Sequence, residues 1–150
     1  MTETEMRQAD QATVAREALE DVCSGARLDA VGDYYSRDFV DHVNASEYRG
    51  LEGARASVEL YQRLFDDLRF EVLQQVTEGD SVASRWALHG THRGRRVRLT
   101  GIVISRIENG RIVEDFAATD TLELVRQLGI WRTVRLLVTQ PGLLRSARAH

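Results

Sequence analysis

The spacing of apolar residues divides the chain into a helical first half and a stranded second half. Between residues 7 and 23, apolar side chains recur every three or four positions, which is typical of one face of an amphipathic helix ending near Gly25. The predicted helices cover residues 7–23, 29–35 and 53–65, and a short extended segment covers residues 39–44.

From residue 69 onward the apolar positions alternate, which is typical of strands. The predicted strands cover residues 69–77, 81–92, 97–108 and 111–120, and a last helix lies between Thr121 and Gly129. Asn109-Gly110 is the strongest turn signal, because both residues tolerate the positive φ angles of a type I′ hairpin. Helices followed by an antiparallel meander predict an α+β fold, with the helices on one face of a curved antiparallel sheet.

Residues 1–130 are predicted to form one domain, because a chain of 150 residues suffices for a single apolar core. Residues 131–150 form a tail whose apolar positions fit a short amphipathic helix. These positions are Trp131, Val134, Leu137 and Val138, and Pro141-Gly142 follows them. We expect the tail to dock on its own domain or on a partner subunit. Anchoring at a membrane surface is the weaker alternative, because the apolar face is short.

Composition and charge narrow the function classes. The net charge is −3 and no block of like charge occurs, which argues against a nucleic-acid binder. Cys23 is the single cysteine, so no internal disulfide is expected, and no His or Cys partners stand at zinc-ligand spacing. The acidic, polar N-terminus resembles neither a signal peptide nor a membrane span, which predicts a cytoplasmic protein.

The Asn109-Gly110 turn predicts which side chains share a face of the sheet. If it is a two-residue loop, Val103 faces Phe116 and Leu99 faces Asp120. The predicted inner face carries Leu99, Gly101, Val103, Ile107, Ile112, Phe116, Ala118 and Asp120. The opposite, more solvent-facing side carries Arg98, Thr100, Arg106, Asp115 and Thr119.

Asp120 therefore has two interpretations. On an apolar face, desolvation would raise its pKa above the usual value of about 3.9, as a general acid or base requires. At the junction of a strand and a helix, it would equally serve as the N-cap of the helix that begins at Thr121. The sequence pattern leaves both open.

The preceding hairpin decides which further side chains accompany Asp120. A two-residue turn at Gly94-Arg95 places Trp86, Leu88 and His92 on the same face, whereas a three-residue turn would bring in Arg85 and His89. We prefer the first register, because a buried Arg needs a paired acid. His42 lies in the extended segment, and four tyrosines, Tyr34, Tyr35, Tyr48 and Tyr61, offer phenolic donors.

Four stretches together resemble the SnoaL-like polyketide cyclase (ester cyclase) family, whose fold is nuclear transport factor 2-like and ketosteroid-isomerase-like. The stretches are FVDHVN (39–44), GLEGARASVELYQRLFDDLRFEV (50–72), EGDSVASRWALHGTHRG (78–94) and LTGIVISRIENGRIVEDFAATDTLELVRQLG (99–129). The resemblance covers roughly residues 14–129. It implies a cone-shaped curved antiparallel sheet wrapped around the N-terminal helices.

The resemblance also implies a site and a reaction. Asp120 matches the family's catalytic aspartate, and His42 and His92 match pocket positions. The family uses acid/base catalysis for an intramolecular aldol closure of a bulky apolar carbonyl compound, with no metal or organic cofactor. The expected substrate-binding residues are Trp86, Leu88, Leu99, Val103, Phe116 and Tyr35. Relatives often associate through the sheet, so we expect a homodimer or a larger homo-oligomer.

The sequence differs from the usual family pattern in two respects, and two alternative functions remain open. The RGRRV link at residues 93–97 is shorter than the usual hairpin, and Phe116 stands where Trp is frequent. One rival is an epoxide hydrolase of the limonene epoxide hydrolase type, which needs two acids bridged by an Arg, with Arg85 as the candidate. The other is a non-catalytic small-molecule-binding, dimerising module in which Asp120 is only a cap.

Overall fold

The computed structural model describes residues 1–139, excluding the side chains of residue 133 and of residues 136–139. Helix α1 (Glu3–Glu17) continues as a π-helix (Ala18–Cys23), and a 3-10 turn (Leu28–Ala30) follows. The other helices are α2 (Val31–Tyr34), α3 (Gly50–Leu64), α4 (Thr121–Leu128) and α5 (Ile130–Thr139). Its strands are β1 (Tyr35–Val43), β2 (Ser46–Arg49), β3 (Asp66–Glu78), β4 (Ser81–His92), β5 (Arg95–Glu108) and β6 (Arg111–Thr119).

The first helix begins at a capping box and ends at a glycine. Thr2 and Glu5 each accept a hydrogen bond from the backbone N–H of the other, which satisfies two donors at the helix start. The π-helical turn then buries Leu19 and Val22, and Gly25 takes a φ of +80° that suits a residue without a Cβ. The predicted helix over residues 7–23 is therefore present, and it starts four residues earlier.

Six strands form one curved, unclosed sheet in the order β2-β1-β6-β5-β4-β3. The four long strands form the predicted antiparallel meander, and the helices pack against its inner face, so the predicted α+β fold is confirmed. The pattern did not predict β2, nor the parallel pairing of β1 with β6. That parallel pair joins residues far apart in sequence and brings the segment around Asp41 against the last strand.

A β-bulge in β6 reverses the predicted faces of that strand. Ile107 pairs with Ile112 as predicted, but Arg106 pairs with Glu114, which leaves Val113 as an extra residue. A slip of one residue moves every following side chain to the other face of the sheet. The predicted pairs Val103–Phe116, Gly101–Ala118 and Leu99–Asp120 are therefore wrong, because the observed pairs are Val103–Ala117, Ile102–Ala118 and Gly101–Thr119. Asp115 consequently faces the core, and Phe116 faces outward.

The β4–β5 hairpin differs from the prediction by two residues, which preserves its faces. The turn is Arg93-Gly94, with φ angles of +48° and +80° at the two residues, and His92 pairs with Arg95 rather than with Val97. Because the displacement is even, Trp86 and Leu88 still face the core as predicted. Arg85 is exposed, also as predicted.

The tail contains the predicted helix as far as the structure describes it. α5 spans Ile130–Thr139, and the side chains of Ile130, Trp131 and Val134 are exposed. Residues 140–150, including Pro141-Gly142, lie outside the described part of the chain, so the docking of the tail stays a prediction. Within residues 1–139, no helix is long and apolar enough to cross a membrane.

Candidate active site

A cavity of about 60 Å³ lies between the inner face of the sheet, α3 and the π-helical turn after α1. Its walls are mostly apolar, and they include Leu19, Phe39, Val58, Phe70, Trp86 and Val103. Its polar lining comes from two carboxyl groups, Asp41 and Asp115, and from Cys23, Tyr35, Ser57 and Tyr61. An apolar cavity with few polar groups that converge is typical of a small-molecule site.

Asp41 and Asp115 lie side by side on neighbouring strands. They are direct partners in the parallel β1–β6 pair, where strands run about 4.8 Å apart. Each residue is only 8% exposed. The Ser57 hydroxyl donates a hydrogen bond to Asp41, and the Ser105 hydroxyl donates one to Asp115. The Oδ1 atom of Asp115 is buried and has no hydrogen-bond partner among the described residues, so it is available to a ligand.

Burial makes this pair hold a proton at neutral pH. Desolvation, reinforced by the charge of Asp41, raises the pKa of Asp115 to about 8. Desolvation also raises the pKa of Asp41 to about 6, against the lowering effect of the Ser57 hydrogen bond. Two adjacent carboxyl groups titrate as a unit, so the pair carries one proton and one negative charge near pH 7. One group can then donate a proton while its neighbour accepts one.

The other polar groups of the cavity remain protonated. Burial raises the pKa of the Tyr35 phenol well above its usual value and raises that of Tyr61 to about 12. Burial likewise raises the pKa of the Cys23 thiol to about 12, and its Sγ lies 3.6 Å from the Tyr35 Oη. A thiol with so high a pKa is a poor nucleophile. These three side chains can therefore donate hydrogen bonds, but they do not act as bases.

Residues 13–128 match the model of the SnoaL-like polyketide cyclase family. The chain belongs to this family. Among curated protein sequences, no significant match to the chain was found.

Solved structures with a similar fold align with most of this chain. A candidate polyketide cyclase from Bacillus cereus has a TM-score of 0.75 at 21% identity, over 87% of this chain and 86% of that one. IdmH, a candidate polyketide cyclase from Streptomyces antibioticus, has a TM-score of 0.69 at 26% identity, over 82% and 99%. AclR, a candidate hydroxylase from Streptomyces galilaeus, has a TM-score of 0.69 at 23% identity, over 82% and 98%. The first and third show the fold alone.

Asp120 lies outside the cavity of this SnoaL-like chain. It is exposed, and its Oδ1 accepts a hydrogen bond of 3.0 Å from the N–H of Glu123, so it is the N-cap of α4. Its own N–H donates to the Thr100 carbonyl oxygen at 3.0 Å. The capping interpretation is therefore confirmed, and the predicted apolar surroundings of Asp120 are wrong because of the bulge at Val113.

The structure does not bring His42, His92 and Asp120 together. The ring of His42 points to the outer face, where it stacks on Phe116 at 4.5 Å between centroids and its Nε2 lies 3.0 Å from an oxygen of Glu114. The Nδ1 of His92 lies 2.8 Å from the carbonyl oxygen of Leu64, which ties the β4–β5 hairpin to the end of α3. Both imidazoles thus have contacts that account for them without a substrate.

The predicted substrate-binding residues divide into three groups. Tyr35, Trp86 and Val103 line the cavity. Leu88 and Leu99 are buried in the adjoining core cluster, where they support the wall rather than form it. Phe116 is 52% exposed on the outer face, since the bulge turns it away from the core.

Sequence reasoning missed both carboxyl groups of the cavity. Asp41 alternates with Phe39 and Val43 along β1, and an acid at an apolar position of an alternating strand is a signal that the pattern did contain. Asp115 had no such signal, because the assumed register placed it on the outer face. In the described residues, no three His, Cys, Asp or Glu side chains are grouped as metal ligands would be.

The raised pKa values predict that the stability of this protein falls as pH rises from about 4 to about 8. The folded state holds protons on Asp41 and Asp115 that the unfolded chain releases near pH 4, so the native state binds more protons throughout this window. The free energy of unfolding should therefore decrease with pH by an amount on the order of a few kcal/mol. Urea unfolding at pH 5 and pH 8.5 measures this difference.

The control is a double variant, Asp41→Asn with Asp115→Asn, which removes both titrating groups and retains their shape. Its unfolding free energy should change much less between the two pH values than that of the wild-type protein. Equal changes in the two proteins would show that neither carboxyl has a raised pKa in the folded state.

Proposed function

We propose that this chain is a cofactor-free acid/base enzyme of the polyketide cyclase type, acting on an apolar carbonyl compound. The observation that carries the proposal is the buried Asp41–Asp115 pair on an apolar cavity, with Oδ1 of Asp115 unpartnered. A carboxyl group kept neutral by an apolar site can donate a hydrogen bond at pH 7, and an ionised neighbour can serve as the base. Buried pairs of this kind occur preferentially at functional sites.

The two carboxyl groups have complementary roles in the proposed reaction. In this proposal the ionised group is Asp41, whose charged form the Ser57 hydrogen bond and the nearby His42 favour, and it removes a proton from the carbon next to a substrate carbonyl. The protonated Asp115 donates a hydrogen bond to the carbonyl oxygen, on which negative charge develops. The resulting enolate carbon attacks a second carbonyl of the same molecule and closes a ring. The new alkoxide then takes up the proton that Asp41 removed, which restores the enzyme.

The apolar walls select a flat, weakly polar substrate. Trp86, Phe70 and Phe39 offer ring faces and edges against which an aromatic ring packs well. Tyr35 is a second donor on the same cavity, and burial keeps its phenol protonated. No charged group other than the two acids lines the cavity among the described residues, so its walls do not favour a highly charged substrate.

Deuterium exchange tests the proton-transfer step without knowledge of the natural substrate. A panel of aromatic β-keto esters with one to three rings is incubated with the protein in D2O. Proton NMR follows the loss of signal from the hydrogens on the carbon between the two carbonyl groups as deuterium replaces them. The proposal predicts exchange well above the rate in buffer and above that with the double Asp→Asn variant. Exchange no faster than with that variant, across the whole panel, would contradict it.

The geometry of the cavity does not favour the alternative function of an epoxide hydrolase. That reaction needs an Arg between the two acids, but Arg85 is exposed and no Arg lines the cavity among the described residues. An Arg beside a carboxyl group lowers its pKa, whereas both acids here have raised pKa values. The non-catalytic module accounts for Asp120 as a cap, but it leaves the cost of burying two carboxyl groups unexplained.

We also propose that two copies pair through the outer face of the sheet. This face exposes about half of each of three large apolar side chains, Ile102, Ile104 and Phe116. The ion pair of Arg106 with Glu114 lies beside them, as polar groups do at the rim of a protein interface. An apolar patch with a charged rim marks an association surface.

Ile104→Glu should convert this dimer into a monomer, because it places a charge in the apolar centre of the interface. Sedimentation velocity measures the change at a protein concentration where the wild type is dimeric. Leu122→Glu is the matched control, since Leu122 is exposed on α4 and not on a strand of the sheet. A monomeric wild type, or an Ile104→Glu variant that remains dimeric, would contradict the proposal.

A further inference from the structure

The acid-pair cavity, which is the cavity lined by Asp41 and Asp115, is small for a molecule with several rings. Its volume is about 60 Å³, and it is partly open to solvent. Sites for drug-sized ligands typically have volumes of about 300–1,000 Å³. A buried cavity of about 150 Å³ is enough to hold a molecule of benzene. The walls around the two acids therefore have room for no more than one ring.

The helical wall of this cavity is fastened to the sheet where it carries Leu19. The N–H of Val72 donates a hydrogen bond of 3.0 Å to Glu20, which lies beside Leu19 in the π-helical turn. The N–H of Phe70 donates one of 2.9 Å to the hydroxyl of Ser24, which follows that turn. Both bonds would have to break before the turn could move away from the sheet and enlarge the cavity.

The sheet side of the cavity is held by the packing of Trp86. This residue is buried on β4, and its indole lies against Gly101 of β5. The ring of Phe70 packs edge-on against the indole, with 5.1 Å between the centroids. The indole therefore has the backbone on one side and an aromatic ring on another, so it cannot withdraw to make room for a larger ligand.

We infer that the acid-pair cavity encloses a single ring of its substrate, and that the side chains of Leu19 and Trp86 set this limit. The limit takes from the proposed function only that the substrate binds in this cavity. The reacting carbonyl groups must lie next to the enclosed ring, because both acids line the cavity. The substrate class is therefore that of dicarbonyl compounds with one ring, whereas the family resemblance implies a bulkier molecule.

Equilibrium binding of two neutral phenols that differ by one ring tests this limit. Isothermal titration calorimetry gives the dissociation constants of phenol and 2-naphthol for the wild-type protein at pH 7. Enclosing the second ring would tighten binding at least about tenfold, because each buried carbon adds to the apolar area removed from water. With room for one ring, the second ring stays in solvent, and the two constants should agree within about threefold.

Leu19→Ala should make room for the second ring, because the space left by its side chain adjoins the cavity. This variant should bind 2-naphthol about tenfold more tightly than phenol. Leu88→Ala is the matched control, since it removes the same atoms from a buried residue that does not line the cavity. Its two constants should stay within about threefold of each other. If circular dichroism shows that Leu19→Ala does not fold, Val103→Ala is a smaller deletion in the same cavity and should raise the preference in the same direction.

Three results would overturn the one-ring limit. They are a wild type that binds 2-naphthol more than about threefold more tightly than phenol, no binding of either phenol, and an equal preference in Leu19→Ala and Leu88→Ala. Neither phenol has a carbon between two carbonyl groups, so these measurements do not depend on the proposed reaction. The limit with no deuterium exchange in any keto ester would refute the reaction alone, and exchange without the limit would refute the limit alone.

Discussion

Replacing Asp41 with Asn should lower turnover of a competent substrate by about 10²–10⁴-fold, the usual contribution of a general base. The amide has nearly the shape of the carboxyl group and can still accept the Ser57 hydrogen bond, so the fold is expected to persist. It cannot take up a proton, and the enolate therefore does not form at the wild-type rate. The measurement is kcat/KM, with circular dichroism as the check on folding.

Asp120→Asn is the decisive companion variant, because the family resemblance predicts that Asp120 is the catalytic residue. Asn is as good an N-cap as Asp, so this change keeps the bond to the Glu123 N–H and should leave kcat/KM within about twofold. The opposite pattern, with activity lost in Asp120→Asn and retained in Asp41→Asn, would reject the assignment. It would mean that β6 faces the cavity in the register without the bulge.

Asp115→Asn should change the pH dependence as well as the rate. With an acid pair, kcat/KM follows a bell-shaped curve whose limbs report the two ionisations of the pair. Asn at position 115 donates a hydrogen bond but does not ionise, so the alkaline limb should disappear and the acid limb should remain. A curve that keeps both limbs would assign the alkaline limb to another group.

The sequence predicted the architecture well because the architecture depends on local signals. Alternation of apolar residues, together with the Asn109-Gly110 turn, is enough to place four antiparallel strands. The faces of β4 were also predictable, since a large Trp86 and a charged Arg85 allow one arrangement without a buried, unpaired cation. Tertiary contacts reinforce these signals rather than oppose them.

The site was harder to predict because it depends on one extra residue. Nothing in the local sequence at Val113 requires a bulge, and its neighbours Ile112 and Glu114 fit a regular strand equally well. The register of β6 is set jointly by β5 and by its parallel partner β1. In the β1–β6 pair, Asp41 lies 74 residues upstream of its partner Asp115. The family resemblance favours the same register, because it matches Asp120, and not Asp115, to the catalytic aspartate.

The position of Trp86 in the cavity wall depends on the absence of a Cβ atom at Gly101. Gly101 lies directly across from Trp86 in the β4–β5 pair. A Cβ at this position would stand 2.2 Å from Cζ2 of Trp86 and 2.6 Å from the carbonyl oxygen of Ala118. The indole ring of Trp86 therefore fills the space beside Gly101. Glycine in a strand often marks such a close approach of an aromatic ring or a backbone.

Gly101→Ala should destabilise the protein by about 3 kcal/mol, the upper end of the range for overpacking a core. The Ala118 oxygen belongs to the backbone of β6, so only the indole can move, and it would move into the cavity. Urea unfolding should show a lower midpoint with an unchanged slope. Gly32→Ala is the control, because its Cβ meets nothing closer than 3.7 Å and α2 should gain about 0.4–1 kcal/mol. An unchanged midpoint for Gly101→Ala would mean that Trp86 does not pack on Gly101, and that the wall of the proposed active site is built differently.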